Sequence, residues 1–341
     1  NRHEFKTKLM LVALTNNELD GMIMKKTALS LAIAALLPNI AFAEVANNDK
    51  VSIDIGEPKF YAKLNVSIQN NQEGGDSTSD VVSNASRVGA NGKIALDHGL
   101  QGIYQLEYET QVDDGGKDDD KQTFEQRNIF VGLEGAFGYL VAGRFDTPLK
   151  RAQKKVDLFG DLEGDIKSLI TSNDKRESNQ ALYKTPTYAG LALTIAHIAS
   201  ETEEVNDGTS GAITYDRNSF YAAVAYDTDV ADDGTDVIRV VSQYSIAGLT
   251  LGGLWETQAV SGVDKDTEGW VASAAYKVTS ATTLKAQYGE SDIVKEDGKT
   301  YSLGVDVKLA KKAKAYAFVT DETFAVNGSN QYYGVGVEYK F

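Results

Sequence analysis

The chain has 341 residues, 34 basic against 49 acidic, a formal charge of −15, three histidines and no cysteine. The acidic excess argues against a nucleic-acid partner, whose phosphates would have to be met by cations, and the lack of cysteine excludes a disulfide framework and thiolate metal sites. With only His3, His98 and His197 present, histidine-rich chemistry is not expected, nor is a metal or any other cofactor.

An export signal is expected first. Met24 opens a stretch with Lys25 and Lys26, an apolar run from Ala28 to Leu37 and a small-x-small close at Ala41-Phe42-Ala43. This is the order of a signal peptide, 24–43, with cleavage before Glu44. Residues 1–23 then read as upstream translated sequence without function, the alternative being an N-terminal anchor helix. The remaining domain, 44–341, has 298 residues. Removing five basic and three acidic residues with 1–43 leaves 29 and 46, a charge of −17. No apolar stretch beyond residue 43 approaches the roughly 20 residues that a spanning helix needs.

Beyond that point the hydrophobic period is two. From Leu100 to Thr110 the even positions are Leu, Gly, Tyr, Leu, Tyr and Thr, opposite Gln101, Ile103, Gln105, Glu107 and Glu109. Sixteen strands are expected, at about 59–69, 86–97, 100–111, 123–134, 138–144, 179–185, 191–198, 211–216, 219–227, 237–245, 249–258, 267–278, 282–291, 298–308, 314–320 and 331–341. The odd-numbered connections are long and acidic, among them 70–85, 112–122, 145–178 and 199–210. The even-numbered ones are mostly tight, as at His98-Gly99 and Arg217-Asn218. Short turns on one side and longer loops on the other, with an even strand count, describe an outer-membrane β-barrel. A sheet in lipid must close on itself, because the bilayer offers its backbone no water. Tyr61, Tyr104, Tyr226, Trp255, Trp270 and Tyr276 suit interfacial girdles. The last strand places Tyr333, Val335, Val337, Tyr339 and Phe341 on one face.

The runs Ser86-Arg87-Val88-Gly89, Arg127-Asn128-Ile129-Phe130-Val131-Gly132-Leu133-Glu134-Gly135-Ala136-Phe137-Gly138, Gly143-Arg144-Phe145-Asp146-Thr147-Pro148 and Asp157-Leu158-Phe159-Gly160-Asp161 resemble the general diffusion porins of Gram-negative bacteria over essentially all of 44–341. The resemblance implies an all-β transmembrane antiparallel barrel with a long loop after the fifth strand folded inward. It also implies a homotrimer packed through outward faces of early strands. A terminal aromatic strand, here Tyr339 and Phe341, would be read by the barrel-assembly machinery. The expected function is passive diffusion of small hydrophilic solutes and ions across the outer membrane. For the constriction the resemblance offers a basic wall, Arg87, Arg127, Arg144 and Arg176, facing the loop carboxylates Asp157, Asp161, Glu163 and Asp165. Such an arrangement sets a transverse field that orients dipolar solutes. Arg127 shares a parity with Ile129 and Val131, which argues against its facing the lumen. Lys150, Arg151, Lys154 and Lys155 in the same loop serve either as docking contacts or as an added basic patch.

Asp113, Asp114, Asp118, Asp119 and Asp120 crowd one external loop. They form a solvated repulsive surface, a cation bridge to lipopolysaccharide or a vestibule field, without the ordered spacing of a calcium loop. From the net charge a weak cation preference is expected. Two other classes compete. A barrel enzyme would need a nucleophile beside a positioned histidine, which His98 and His197 do not supply. A plugged adhesin would need fewer strands than the sixteen that leave an aqueous channel.

Overall fold

The computed structural model describes residues 57–113, 123–325 and 328–341. The expected signal peptide and upstream segment, and Asp114, Asp118, Asp119 and Asp120, lie outside the described residues.

Eighteen strand segments form one antiparallel sheet. In chain order they are β1 (Lys59–Glu73), β2 (Asp76–Ser83), β3 (Arg87–Ala95), β4 (Gln101–Thr110), β5 (Phe124–Gln126), β6 (Ile129–Gly135), β7 (Gly138–Asp146), β8 (Arg176–Lys184), β9 (Leu191–Ile198), β10 (Gly208–Arg217), β11 (Phe220–Thr228), β12 (Thr235–Ile246), β13 (Leu249–Val260), β14 (Thr267–Lys277), β15 (Thr282–Ser291), β16 (Gly298–Ala310), β17 (Ala313–Phe324) and β18 (Gly328–Lys340). Two pairs are single staves with an interruption. β2 and β3 both pair with β1, and β5 and β6 both pair with β4. The staves therefore number sixteen, as the alternation predicts. β1 pairs with β18 from Lys63↔Lys340 to Glu73↔Asn330, which closes the ring.

One expected loop is mostly strand. Between residues 70 and 85 the chain extends β1, turns at Gly74-Gly75 and returns as β2. Both turn glycines have positive φ, 59° and 96°, which a tight hairpin turn needs and side-chain-bearing residues resist. The other connections segregate as expected: short at 136–137, 218–219, 247–248 and 311–312, long at 111–123, 147–175 and 199–207.

The outer face is apolar. Val131, Ile213, Val224, Leu251 and Val335 point away from the lumen and are exposed. Tyr226, Trp255, Trp270, Tyr301 and Tyr333 lie toward the long-loop rim, with Phe60, Phe220, Tyr244, Tyr276 and Tyr339 toward the short-turn rim. These are the two girdles of a barrel seated between lipid headgroups. Tyr61 does not belong to them. It turns inward and its hydroxyl donates to Glu107 at 3.0 Å.

Candidate pore constriction

The loop at 147–175 begins with α1 (Pro148–Ala152), whose start is fixed by proline at its first position and by the Thr147 hydroxyl accepting from the Lys150 amide at 3.3 Å. Such capping satisfies amides that an isolated helix start leaves bare. From there the loop lies along the inner wall of β10–β18. Leu149, Ala152, Val156, Ile166 and Ile170 pack against Ala212, Tyr221, Ala223, Ala225, Val237, Val241, Leu254 and Val271 in one buried cluster. Phe159 packs against Tyr316, Phe318 and Tyr332 in a second. Two wall glycines make room for this contact. A Cβ at Gly304 would stand 2.9 Å from the Phe159 ring, and one at Gly289 would stand 2.8 Å from Ile170.

Both ends of the loop meet one guanidinium. Arg239 of β12, with 0% of its surface exposed, donates to the Leu149 carbonyl at 3.3 Å, to Asp174 at 2.7 Å and to the Thr171 hydroxyl at 3.1 Å. It also pairs with the buried Glu256 of β13 at 2.5 Å. Glu256 in turn accepts from Thr171 and from Asn173, at 2.5 and 2.8 Å. Buried charges are tolerable only when paired and fully hydrogen-bonded, and here every partner belongs to the wall or to a root of the loop.

Three of the four expected wall arginines face the lumen. Arg87 and Lys63 both pair with Asp161, at 2.9 and 2.7 Å. Arg176 pairs with Asp146 at 3.0 Å. Arg127 pairs with Glu107 at 3.3 Å and with Glu109. The break between β5 and β6 at Arg127-Asn128 shifts the parity, so that Arg127 faces inward while Ile129 and Val131 face out. Arg144 is the correction. It stands directly across from Ile129, on the outward face, and its guanidinium donates to the Ser178 hydroxyl at 3.1 Å and to the Gln126 carbonyl at 3.4 Å. It shares the parity of the exposed Ala142, opposite to that of the buried Val141 and Phe145.

The loop carboxylates divide in two. Asp161 reaches the wall as described, and Glu163 accepts from Gln69 of β1 at 2.8 Å. Asp157 and Asp165 shape the loop itself. Asp157 accepts from the Phe159 amide at 3.0 Å, and Asp165 accepts from the amides of Asp161 and Lys167 at 2.9 and 3.0 Å. Their protonation follows these settings. Burial raises the Asp157 carboxyl well above the usual range, and the neighbouring Asp165 carboxylate adds to this. Asp165 is raised by burial too. For Asp161 burial also pushes upward, but the Lys63 ammonium and the Arg87 guanidinium outweigh it and hold the carboxyl down at about 2.

Three of the four expected basic residues dock the loop, while the Lys155 side chain is exposed. Lys150 pairs with Asp146 at 3.3 Å, Lys154 pairs with Asp216 at 2.7 Å, and Arg151 donates to the Tyr139 hydroxyl at 2.9 Å. Lys63, Glu107, Glu109 and Asp146 were not among the expected constriction residues. For Lys63, Glu107 and Glu109 the signal was available, since each lies on the polar parity of a strand beside an expected arginine. Asp146 instead shares its parity with the outward Arg144 and enters the lumen beyond the irregularity between Gly143 and Phe145. The space between loop and open wall is a cavity of about 1200 Å³ lined by eleven basic and eleven acidic side chains among the described residues. Such a site can hydrate and orient small polar solutes. No group of three or more metal-ligating side chains occurs among the described residues.

Comparison with known proteins agrees with this architecture. The family model described as Gram-negative porin matches residues 28–341. The chain is 26% identical over 253 residues to the major outer membrane protein P.IB of Neisseria gonorrhoeae, covering 71% of this chain and 68% of that one. It is 25% identical over 232 residues to a monosaccharide porin of Halomonas, covering 62% and 63%. Among solved structures, the anion-selective porin from Comamonas acidovorans superposes with a TM-score of 0.73 at 21% identity, over 84% of this chain and 99% of that one.

Proposed function

Because the chain belongs to the Gram-negative porins and so serves passive diffusion across the outer membrane, we propose that small hydrophilic solutes pass between the docked loop and the wall bearing Arg87, Arg127 and Arg176, with a weak preference for cations. The observation that carries this reading is the balanced lining of the cavity, eleven basic against eleven acidic side chains. A neutral constriction excludes neither ion sign, so any preference comes from the acidic remainder of a chain whose formal charge is −15. Charges facing bulk water are screened within about 10 Å at 0.1 M salt, so that preference is small and fades as salt rises. Asp161 is the loop carboxylate that meets the wall cations, with Glu163 beside it. Asp157 and Asp165 hold the loop in the shape that presents them.

The protein works as a homotrimer on this reading, as the porin resemblance implies. Tyr339 and Phe341, both on the outward face, are what the assembly machinery reads. External carboxylates face lipopolysaccharide. Sugar passage is the natural probe, given the Halomonas relative. Purified protein in a planar bilayer is expected to give ohmic conductance steps in threes, and liposomes carrying it are expected to swell in glucose. Absent steps would sink the channel reading. An anion-signed reversal potential, whichever bath is dilute, would remove the cation preference alone.

A further inference from the structure

The lining of the cavity is balanced, but the charge of the inner wall beyond it is not balanced from one rim to the other. Toward the short-turn rim the inner faces of β1 and β14–β18 carry Lys63, Lys277, Lys285, Lys308, Lys314 and Lys340, answered there by Asp306 and Glu338. Strand register places them all on the lumen side. Lys63 stands directly across from Lys340, Lys308 from Lys314, and Lys277 from Thr283 on the face of Lys285. Toward the long-loop rim the inner faces carry Glu73, Glu107, Glu109, Glu125 and Glu322. Arg127 and the pair Glu107 and Glu109 offset one another, as do Arg239 and the pair Glu256 and Asp174, which leaves Glu73 and Glu322 as carboxylates without an ion pair among the described residues.

Like charges directly across a strand pair destabilise a sheet, and two such lysine pairs occur at one rim. Carboxylates answer part of this charge, Asp161 at Lys63, Glu338 at Lys340 and Asp306 between Lys285 and Lys314, at 2.7, 3.0 and 3.1 Å, while Lys277 and Lys308 are exposed and make no ion pair among the described residues.

We propose that these lysines form a cationic ring at the short-turn mouth, opposed by a carboxylate-rich long-loop mouth, so that the ion preference of the pore depends on which mouth meets the dilute solution. The physical basis is screening. A concentrated bath near 1 M collapses the reach of fixed charges to about 3 Å, whereas a bath near 0.1 M leaves them about 10 Å. The mouth in the dilute bath therefore governs which ion enters. With the dilute bath at the carboxylate mouth, cations are favoured. With the dilute bath at the lysine ring, small anions such as chloride are favoured.

The test uses the full-length protein inserted in one direction in a planar bilayer, with KCl baths of about 0.1 M and about 1 M exchanged across the same channels. The two reversal potentials are expected to differ beyond simple sign inversion, one cation-signed and the other smaller or anion-signed. The double variant Lys277→Gln with Lys308→Gln, at two exposed positions outside the constriction, is expected to keep single-channel conductance within about twofold and to bring the two values together. Channels that conduct but give mirror-image potentials, or an asymmetry that the double variant leaves intact, would overturn the ring while leaving the porin function standing. Should the double variant fail to assemble, partial screening by raising both baths at a fixed ratio supplies the second measurement. The asymmetry must shrink as both baths are concentrated, and its persistence also overturns the proposal.

Discussion

The two halves of the inner wall obey different chemistry. Across β3–β6 the lumen side is wet and charged, with Arg87 and Arg127 each paired to a carboxylate. Across β10–β14 it is dry, because the loop lies on it and buries Ala223, Val237, Val241 and Val271. One barrel thus contains a hydrophobic core of ordinary globular kind inside a ring otherwise built apolar-out and polar-in. The lesson is that the constriction is set by adhesion to the dry half and tuned by charge on the wet half, so substitutions in the two halves should fail differently.

Arg239→Ala should have the largest effect. It leaves Glu256 buried without its cation, and breaking a buried pair from one side costs about 3–5 kcal/mol. Thermal unfolding in detergent should show the loss of stability, and bilayer recordings should show larger and noisier openings as the loop roots come free. Unchanged conductance noise would mean that the apolar cluster alone holds the loop.

Acidification should have an intermediate effect. The Asp161 carboxyl titrates near its ordinary value of 3.8 when the loop is detached and near 2 when docked. The latch to Lys63 and Arg87 is therefore fully present above the higher value and is lost as pH falls through the lower one. Asp157 and Asp165, raised instead, act in the opposite sense, since docking is favoured as pH falls through their elevated values. Single-channel conductance should hold steady from neutrality down to about pH 4 and become unstable only near pH 2. The smallest effect is expected from Lys93→Gln. Lys93 meets Glu134 at 2.5 Å with 57% and 41% of the side chains exposed, and exposed pairs contribute at most about 1 kcal/mol. Thermal unfolding and conductance should both stay close to the parent values.

Much of this was legible in the residues. Sixteen staves, their order and the outward face follow from alternation, because a sheet in lipid has no other way to satisfy its backbone. The dry half was legible too, in a form that strict alternation hides. Phe220 to Tyr226 reads Phe-Tyr-Ala-Ala-Val-Ala-Tyr, apolar on both parities, which is what a strand covered on both faces looks like. Arg127 and Asp146 were legible only in part. A break or bulge of one residue exchanges the faces of everything beyond it, and the interruptions at Arg127-Asn128 and near Gly143 carry no mark in composition. The same holds for Arg239, which reads as one polar residue in the apolar run Val237–Val241 until the loop that it holds is placed above it. The first hairpin was hidden by its polarity, since Asn70 to Ser83 looks like a loop and pairs like a strand.

The seam between β1 and β18 has a consequence for how such a molecule comes into being. Tyr316 donates to Asn65 at 2.7 Å and Tyr332 donates to Glu73 at 2.7 Å, across 251 and 259 positions of sequence. No partial cylinder can anticipate these bonds, and until they form two raw margins of unpaired amides and carbonyls face an environment without water. Closure is therefore all-or-none, slow by virtue of its span, and hazardous unless both margins are sheltered during the wait.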